Sequence, residues 1–289
     1  MLRRIAGLAG ALALAAGLAV LPSASAEQAG QATARAAGIQ ALPTVDMELV
    51  VKAAQWDPRK SGTGITPGAG DSVLRVEQAL DARGHLATQY VDGHFGTSTI
   101  TAYAAYQRSL GYTGLDANGL PGRTSLTTLG NSRFTVINAI SPGSRVAFRG
   151  VTLNTRTRSM ILEAERRLAR TFTFTQGSYN EGGVGASAGT HDGGGAADIS
   201  VSGMTATTRA TVVRVLREVG FAAWYRTPAE GDWGPHIHMI ALADTDQSGA
   251  ARNQAGDYYL GLNGLANRGP DTSPRVNPIR SWEEYQRAV

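Results

Sequence analysis

The chain of 289 residues contains no cysteine. No disulfide can staple it, no thiolate can hold a metal and no lipid can be attached through sulfur. Any metal site must therefore be built from His, Asp or Glu. Charge is also sparse: 17% of residues are charged and the formal net charge is +4, of which Arg3 and Arg4 carry two. An excess this small and this evenly spread argues against a nucleic-acid partner. Beyond Leu21 no apolar run is long enough to cross a bilayer, so no stable membrane anchor is expected in the rest of the chain. Histidine is scarce, with five in all.

What is present begins with MLRRIAGLAGALALAAGLAVLPSASA, a charged start, an apolar run and the small-x-small triplet Ala24-Ser25-Ala26. That order is the pattern of a secretory signal peptide over residues 1–26. The remainder is expected to be secreted, extracellular or associated with a cell wall. Residues 27–44 are rich in Ala, Gln and Gly without periodicity and read as linker, and 45–60 as a lead-in able to form a short helix. SGTGITPGAG, residues 61–70, reads as a boundary, so 27–70 is taken as linker and lead-in.

Three short helical patterns follow. Asp71 is expected to cap a helix carrying Val73, Val76 and Leu80 and ending at Gly84. A second runs from about Ser98 to Leu110, with Ala102, Tyr103 and Tyr106 at helical spacing. A third carries Leu126 and Leu129. The loops before the second and third echo each other: DGHFGTST (92–99) and NGLPGRTS (118–125). Asp-Gly and Asn-Gly form turns, and Thr can cap the helix that follows. The pattern V-x-x-x-L-x-x-x-G, then D-G-x-F-G-x-x-T-x-x-A-x-x-x-x-Q, then N-G-x-x-G-x-T resembles the peptidoglycan-binding domain of bacterial cell-wall hydrolases over residues 71–130. The resemblance implies a three-helix module with peptidoglycan as partner. Asp92, Gly93, Phe95 and Gly96 are turn and packing residues before they are anything else.

From about residue 133 strands mix with helices, which predicts an α+β domain over 133–289. RFTVINAI, RVAFRGVTL, TFTFTQGSY, AADIS, FAAWYRT and HIHMIAL read as strands. Residues 156–170 and 205–220 read as amphipathic helices. Within HIHMIAL, alternation puts His236 and His238 on one face and Ile237 and Met239 on the other. If the apolar pair faces the core, both imidazoles face a cleft. Upstream, His191 and Asp198 bracket three glycines at 193–195, which would let the chain bend so that both converge. His191, Asp198 and His238 make a set of two imidazoles and one carboxylate. Zinc accepts those donors, and a catalytic site keeps a fourth position open. Zinc in such a site lowers the pKa of its water toward ~7.

H-x-x-G-x-A-x-D (His191, Gly194, Ala196, Asp198) followed by H-x-H (His236, His238) resembles the zinc peptidases of the D-alanyl-D-alanine carboxypeptidase and Hedgehog-type superfamily. The resemblance implies that His191, Asp198 and His238 bind Zn2+ and that His236 is an additional active-site histidine. It also implies an acidic general base shortly before the final histidine. Asp232 lies six residues before His238, at the Hedgehog-type spacing, and Glu230 lies eight before; three before is Pro235, which cannot serve. Two features depart from the pattern. Gly189 stands where many members have Ser, with Ser187 or Thr190 nearby. The Gly-Tyr-Arg segment whose Arg grips a substrate carboxylate is replaced by Gln176-Gly177-Ser178-Tyr179-Asn180. Arg226 is a candidate to fill that gap from another strand.

The expectation is an α+β zinc peptidase domain preceded by a small three-helix peptidoglycan-binding domain. It would act as a peptidoglycan peptidase, carboxypeptidase or endopeptidase, and the missing Arg leans slightly toward the latter. The competing expectations are a non-catalytic zinc-containing wall-binding protein and a metal-dependent amidase. No protein partner is implied.

Overall fold

The computed structural model describes residues 41–289. The signal peptide and the larger part of the linker read from the sequence lie outside the described residues.

The lead-in is a helix. Strand β1 (Thr44–Asp46) runs directly into α1 (Met47–Trp56), where the Asp46 carboxylate accepts from the Leu49 N–H and caps the first turn. Val50, Val51, Ala53 and Ala54 are fully buried. The three helical patterns become α2 (Gly70–Asp81), α3 (Thr97–Ser109) and α4 (Arg123–Leu129). Their starts differ from expectation. Asp71 sits inside the first turn of α2, whose N-cap is Ala69 without a side-chain bond. In the two echoing loops the N-caps are Gly96 and Gly122, and no threonine caps. Helices α3 and α4 are held instead by buried polar side chains that grip the loops before them.

Glu77 accepts from the backbone N–H groups of Asp92 (3.0 Å) and Gly93 (2.8 Å) and from the Thr99 hydroxyl (2.9 Å). Asp57 accepts from the Phe95 N–H at 3.1 Å. Gln107 holds the second loop, accepting from Gly119 N–H (2.8 Å) and donating to the Leu120 carbonyl (2.9 Å). Buried donors and acceptors left unpaired would each cost about 1–3 kcal/mol, so these bonds fix the loops firmly. Phe95, Tyr103, Tyr106, Leu120, Leu126 and Leu129 fill the core beneath. Strand β2 (Thr135–Ile137) closes this part by pairing in parallel with β1.

The rest is mixed α/β. A hairpin of β3 (Arg145–Phe148) and β4 (Val151–Asn154) leads into α5 (Thr155–Leu168), capped by Asn154, which accepts from Thr157 N–H at 2.7 Å. Then come β5 (Phe174–Gln176), β6 (Ala196–Ser200), α6 (Ala206–Val219), β7 (Phe221–Arg226) and β8 (His236–Ala241). Strands β5 to β8 form an antiparallel sheet in the order β5-β6-β8-β7. TFTFTQGSY contributes only three residues to it, and the pairing shifts register between Phe174 and Gln176. Helix α7 (Gly249–Tyr259) and the short α8 (Trp282–Gln286) complete the fold.

Alternation divides the sheet. Ala197, Ile199, Ala223, Ile237 and Met239 form a core with Met160, Ile161, Val212 and Leu216 of α5 and α6. On the other face one end is apolar: Ala196, Ala222 and Ile240 pack with Ala251, Ala255 and Tyr258 of α7. The other end of that face carries the polar residues.

Helix α7 was not visible in the sequence. Its buried stripe is largely alanine, which gives little hydrophobic contrast. Together with the residues just before it, it joins the sheet domain to α1 and the turn that follows α1: Gln55 donates to Gln247 (2.8 Å), Arg59 makes two 2.9 Å bonds to Asp257, and Trp56 stacks on Tyr259 with ring centroids 5.1 Å apart. None of the described helices is long and apolar enough to cross a membrane.

Candidate metal centre

Cross-strand register assembles the site. Gln176, Asp198, His238 and Trp224 are paired in one row across β5, β6, β8 and β7, and Ser200, His236 and Arg226 in the next. Their side chains therefore share one face. His191 arrives from a loop. The segment 191–195 passes under residues 244–248, held by bonds from Gly194 N–H to the Asp246 carbonyl (2.8 Å) and from Tyr179 N–H to the Gly193 carbonyl (2.9 Å). The glycines answer to this crossing. A Cβ on Gly193 would lie 2.4 Å from both the Asp246 carbonyl oxygen and the Ser248 nitrogen. Gly195 has φ +83°, a conformation that other residues adopt at a cost.

The three candidate ligands expected from the sequence converge. His191 Nε2 lies 3.3 Å and His238 Nδ1 2.7 Å from the same oxygen, Asp198 Oδ1. One donor atom from each of the three lies within 4.8 Å of the others, and all three residues are buried. Each histidine is fixed from behind. His191 Nδ1 donates to the Gly177 carbonyl (2.9 Å), and His238 Nε2 donates to Gln254 Oε1 (2.8 Å). With the outward nitrogens protonated, both inward nitrogens present lone pairs. Burial pushes the Asp198 carboxyl up, but His238 and His191 outweigh it and hold it well below the usual carboxylate range. Burial drives His238 toward its neutral form, the form a ligand needs. The group can hold a metal ion.

His236 belongs to the same cluster. Its Nδ1 donates to the Gly234 carbonyl at 2.7 Å, and its Nε2 lies 3.7 Å from Asp198 Oδ2. Trp224 stacks on His238 with ring planes 15° apart, and Trp233 meets His236 edge-on. A cavity of about 400 Å³ opens over the cluster. Asp232, by contrast, is exposed and is not part of the cavity wall, whereas Glu230 is. Ser187 and Thr190 line the cavity but are engaged locally: Ser187 donates to Gln176 Oε1 and Thr190 to the Ser187 carbonyl. His85 and His94 lie apart in the helical region; His94 Nδ1 bonds the Gly64 carbonyl at 3.1 Å.

Three donors in the wall, Arg226 Nη2, Gln176 Nε2 and Trp233 Nε1, have no partner among the described residues. Arg226 is 3% exposed and Gln176 8%, so both of these unpaired groups are buried. Glu230 approaches Arg226 only to 3.8 Å. Gln254 stands on a helix that the sequence pattern does not show, and Gln176 in a segment that the sequence marks only by its lack of arginine. An isolated glutamine carries no signal in a sequence. No family model, curated protein or solved structure matches this chain.

Proposed function

We propose that the protein is a zinc-dependent peptidase acting on peptidoglycan stem peptides, exported and retained at the wall by its helical region. The observation that carries this reading is the convergence of His191 Nε2, Asp198 Oδ1 and His238 Nδ1 at the floor of a cavity, with His236 Nε2 directed at the same carboxylate. Two imidazoles and one carboxylate suit zinc with an open position. Bound there, zinc would supply Lewis acidity and acidify water. The resemblance of the two motifs to zinc peptidases, and of residues 71–130 to a peptidoglycan-binding domain, supports the substrate class.

The chain's own groups divide the remaining work. In its neutral form His236 keeps Nδ1–H on Gly234, which leaves Nε2 free to take a proton from the attacking water and return it to the leaving amine. That assigns the proton to His236 rather than to the exposed Asp232. Gln176 Nε2 is placed to donate to a substrate carbonyl. Arg226 offers the carboxylate clamp absent from the 176–180 segment, which favours cleavage next to a free terminal carboxylate over endopeptidase action.

The test is mass spectrometry of fragments released from purified peptidoglycan, with zinc or with a chelator. Zinc-dependent new peptide ends are expected, and His191→Ala should lose both metal and release. An unchanged digest by zinc-loaded protein would favour a non-catalytic wall-binding role; cleavage at the glycan–peptide amide would identify an amidase.

A further inference from the structure

We infer that Gln254, on α7, is a positioning residue of the metal centre that sets which nitrogen of His238 faces the ion. The inference rests on the reading of His191, Asp198 and His238 as metal ligands. His238 is 5% exposed and both its ring nitrogens are engaged: Nδ1 lies 2.7 Å from Asp198 Oδ1 and Nε2 lies 2.8 Å from Gln254 Oε1. A neutral imidazole carries one proton. If that proton sits on Nε2 and is given to Gln254, the Nδ1 lone pair is turned to the ion. If it sits on Nδ1, the ring donates to Asp198 and cannot bind metal there. The Gln254 carbonyl oxygen stabilises the first arrangement.

His191 is oriented in the same way by the Gly177 carbonyl, a backbone group that no substitution removes. The two ligands thus have equivalent supports, one from main chain and one from a side chain. The backbone carrying Gln254 is itself held at both ends. Ser248 accepts from Ala251 N–H at 3.1 Å, and Asp257 is bonded by Arg59. Glutamine is uncharged, so it orients the ring without adding negative charge to the centre. A carboxylate at the same place would raise the basicity of the ligand and tighten the site.

The experiment measures zinc affinity of the full chain by competition with a chromophoric chelator for wild type, Gln254→Leu and Gln254→Glu. Melting of the metal-free proteins serves as the folding control. Loss of the acceptor is expected to weaken zinc about 10- to 100-fold, and Gln254→Glu to restore or exceed wild-type affinity. In the cobalt-loaded proteins, Gln254→Leu should change the visible d–d absorption, which a merely structural role would leave alone. If Gln254→Leu does not fold, Gln254→Met provides the near-isosteric substitute. Affinity within twofold of wild type for the folded Leu or Met variant, with an unchanged cobalt spectrum, overturns the role of Gln254. Wild type that takes up no metal overturns the ligand reading itself and the inference with it.

Discussion

Arg226 buries a guanidinium against the Trp224 ring, 5.0 Å from its centroid, and leaves Nη2 without a partner among the described residues. Burial lowers its pKa to about 10, so it stays charged at neutral pH. A buried charge without a full complement of bonds weakens the fold, and it suits a site whose missing partner is an anion on the substrate. A hydrogen bond to a charged group contributes about 1.5–3 kcal/mol, roughly 10- to 150-fold in binding. Arg226→Met should lower kcat/KM on free-acid stem peptides by about that factor while leaving C-terminally amidated peptides nearly unaffected. Its melting temperature should be unchanged or higher. Equal losses on both substrates would remove Arg226 from carboxylate recognition. Lysine should rescue only in part, since it keeps the charge and loses the planar fork.

At the scale of elements, the site depends on one loop crossing and one helix. Segment 191–195 can pass beneath residues 246–248 and deliver His191 only because Gly193 lets two backbones touch. Gly193→Ala forces residues 246–248 aside, and an overpacked core costs about 1–3 kcal/mol. It should lower thermal stability and weaken zinc by at least about tenfold, because His191 moves with the loop. Gly185→Ala, where an added Cβ meets nothing within 4 Å, is the matched control and should be neutral in both measurements. The glycine run and the histidine–aspartate bracket were legible in the sequence because they are short-range features. Helix α7 was not, since its buried alanines resemble those of any small-residue segment. Asp232 follows from the resemblance and its spacing, and neither reports that the side chain is exposed.

For the whole molecule, the helical region and the sheet domain meet along α1 and α7, and the second echoing loop reaches the same seam. Asn118 donates to the carbonyls of Thr245 (2.9 Å) and Gln247 (3.0 Å). The helical region also contains the group expected to make the fold sensitive to pH. Glu77 is fully buried and its pKa is raised to about 7 by desolvation. A carboxyl whose folded pKa lies above its unfolded value of about 4.5 favours the fold when protonated. Its contribution is therefore full below pH ~4.5 and is lost as pH rises to ~7, by an amount on the order of 1–3 kcal/mol. Glu77→Gln cannot titrate, and its amide oxygen can accept from both the Asp92 and Gly93 N–H groups, as one carboxylate oxygen does in the wild type. In metal-free protein, the variant should melt close to wild type at pH 5 and above it by pH 8, where the wild-type carboxyl has to ionise in a buried place. A gap independent of pH would show that Glu77 does not ionise over that range.

The sequence by itself determined what depends on near neighbours along the chain. It specified the three helical patterns, the alternation that puts His236 and His238 opposite Ile237 and Met239, and the loop that must bend between His191 and Asp198. The tertiary structure decided what depends on which strands lie side by side. The order β5-β6-β8-β7 sets Gln176, Asp198, His238 and Trp224 in one row, and Arg226 beside His236 in the next. It also lays α7 across the sheet so that Gln254 reaches His238. Periodicity determines the face on which a side chain stands, because the backbone repeat is local. It carries no information about the neighbour across a sheet, because that pairing is selected by burial of the whole domain.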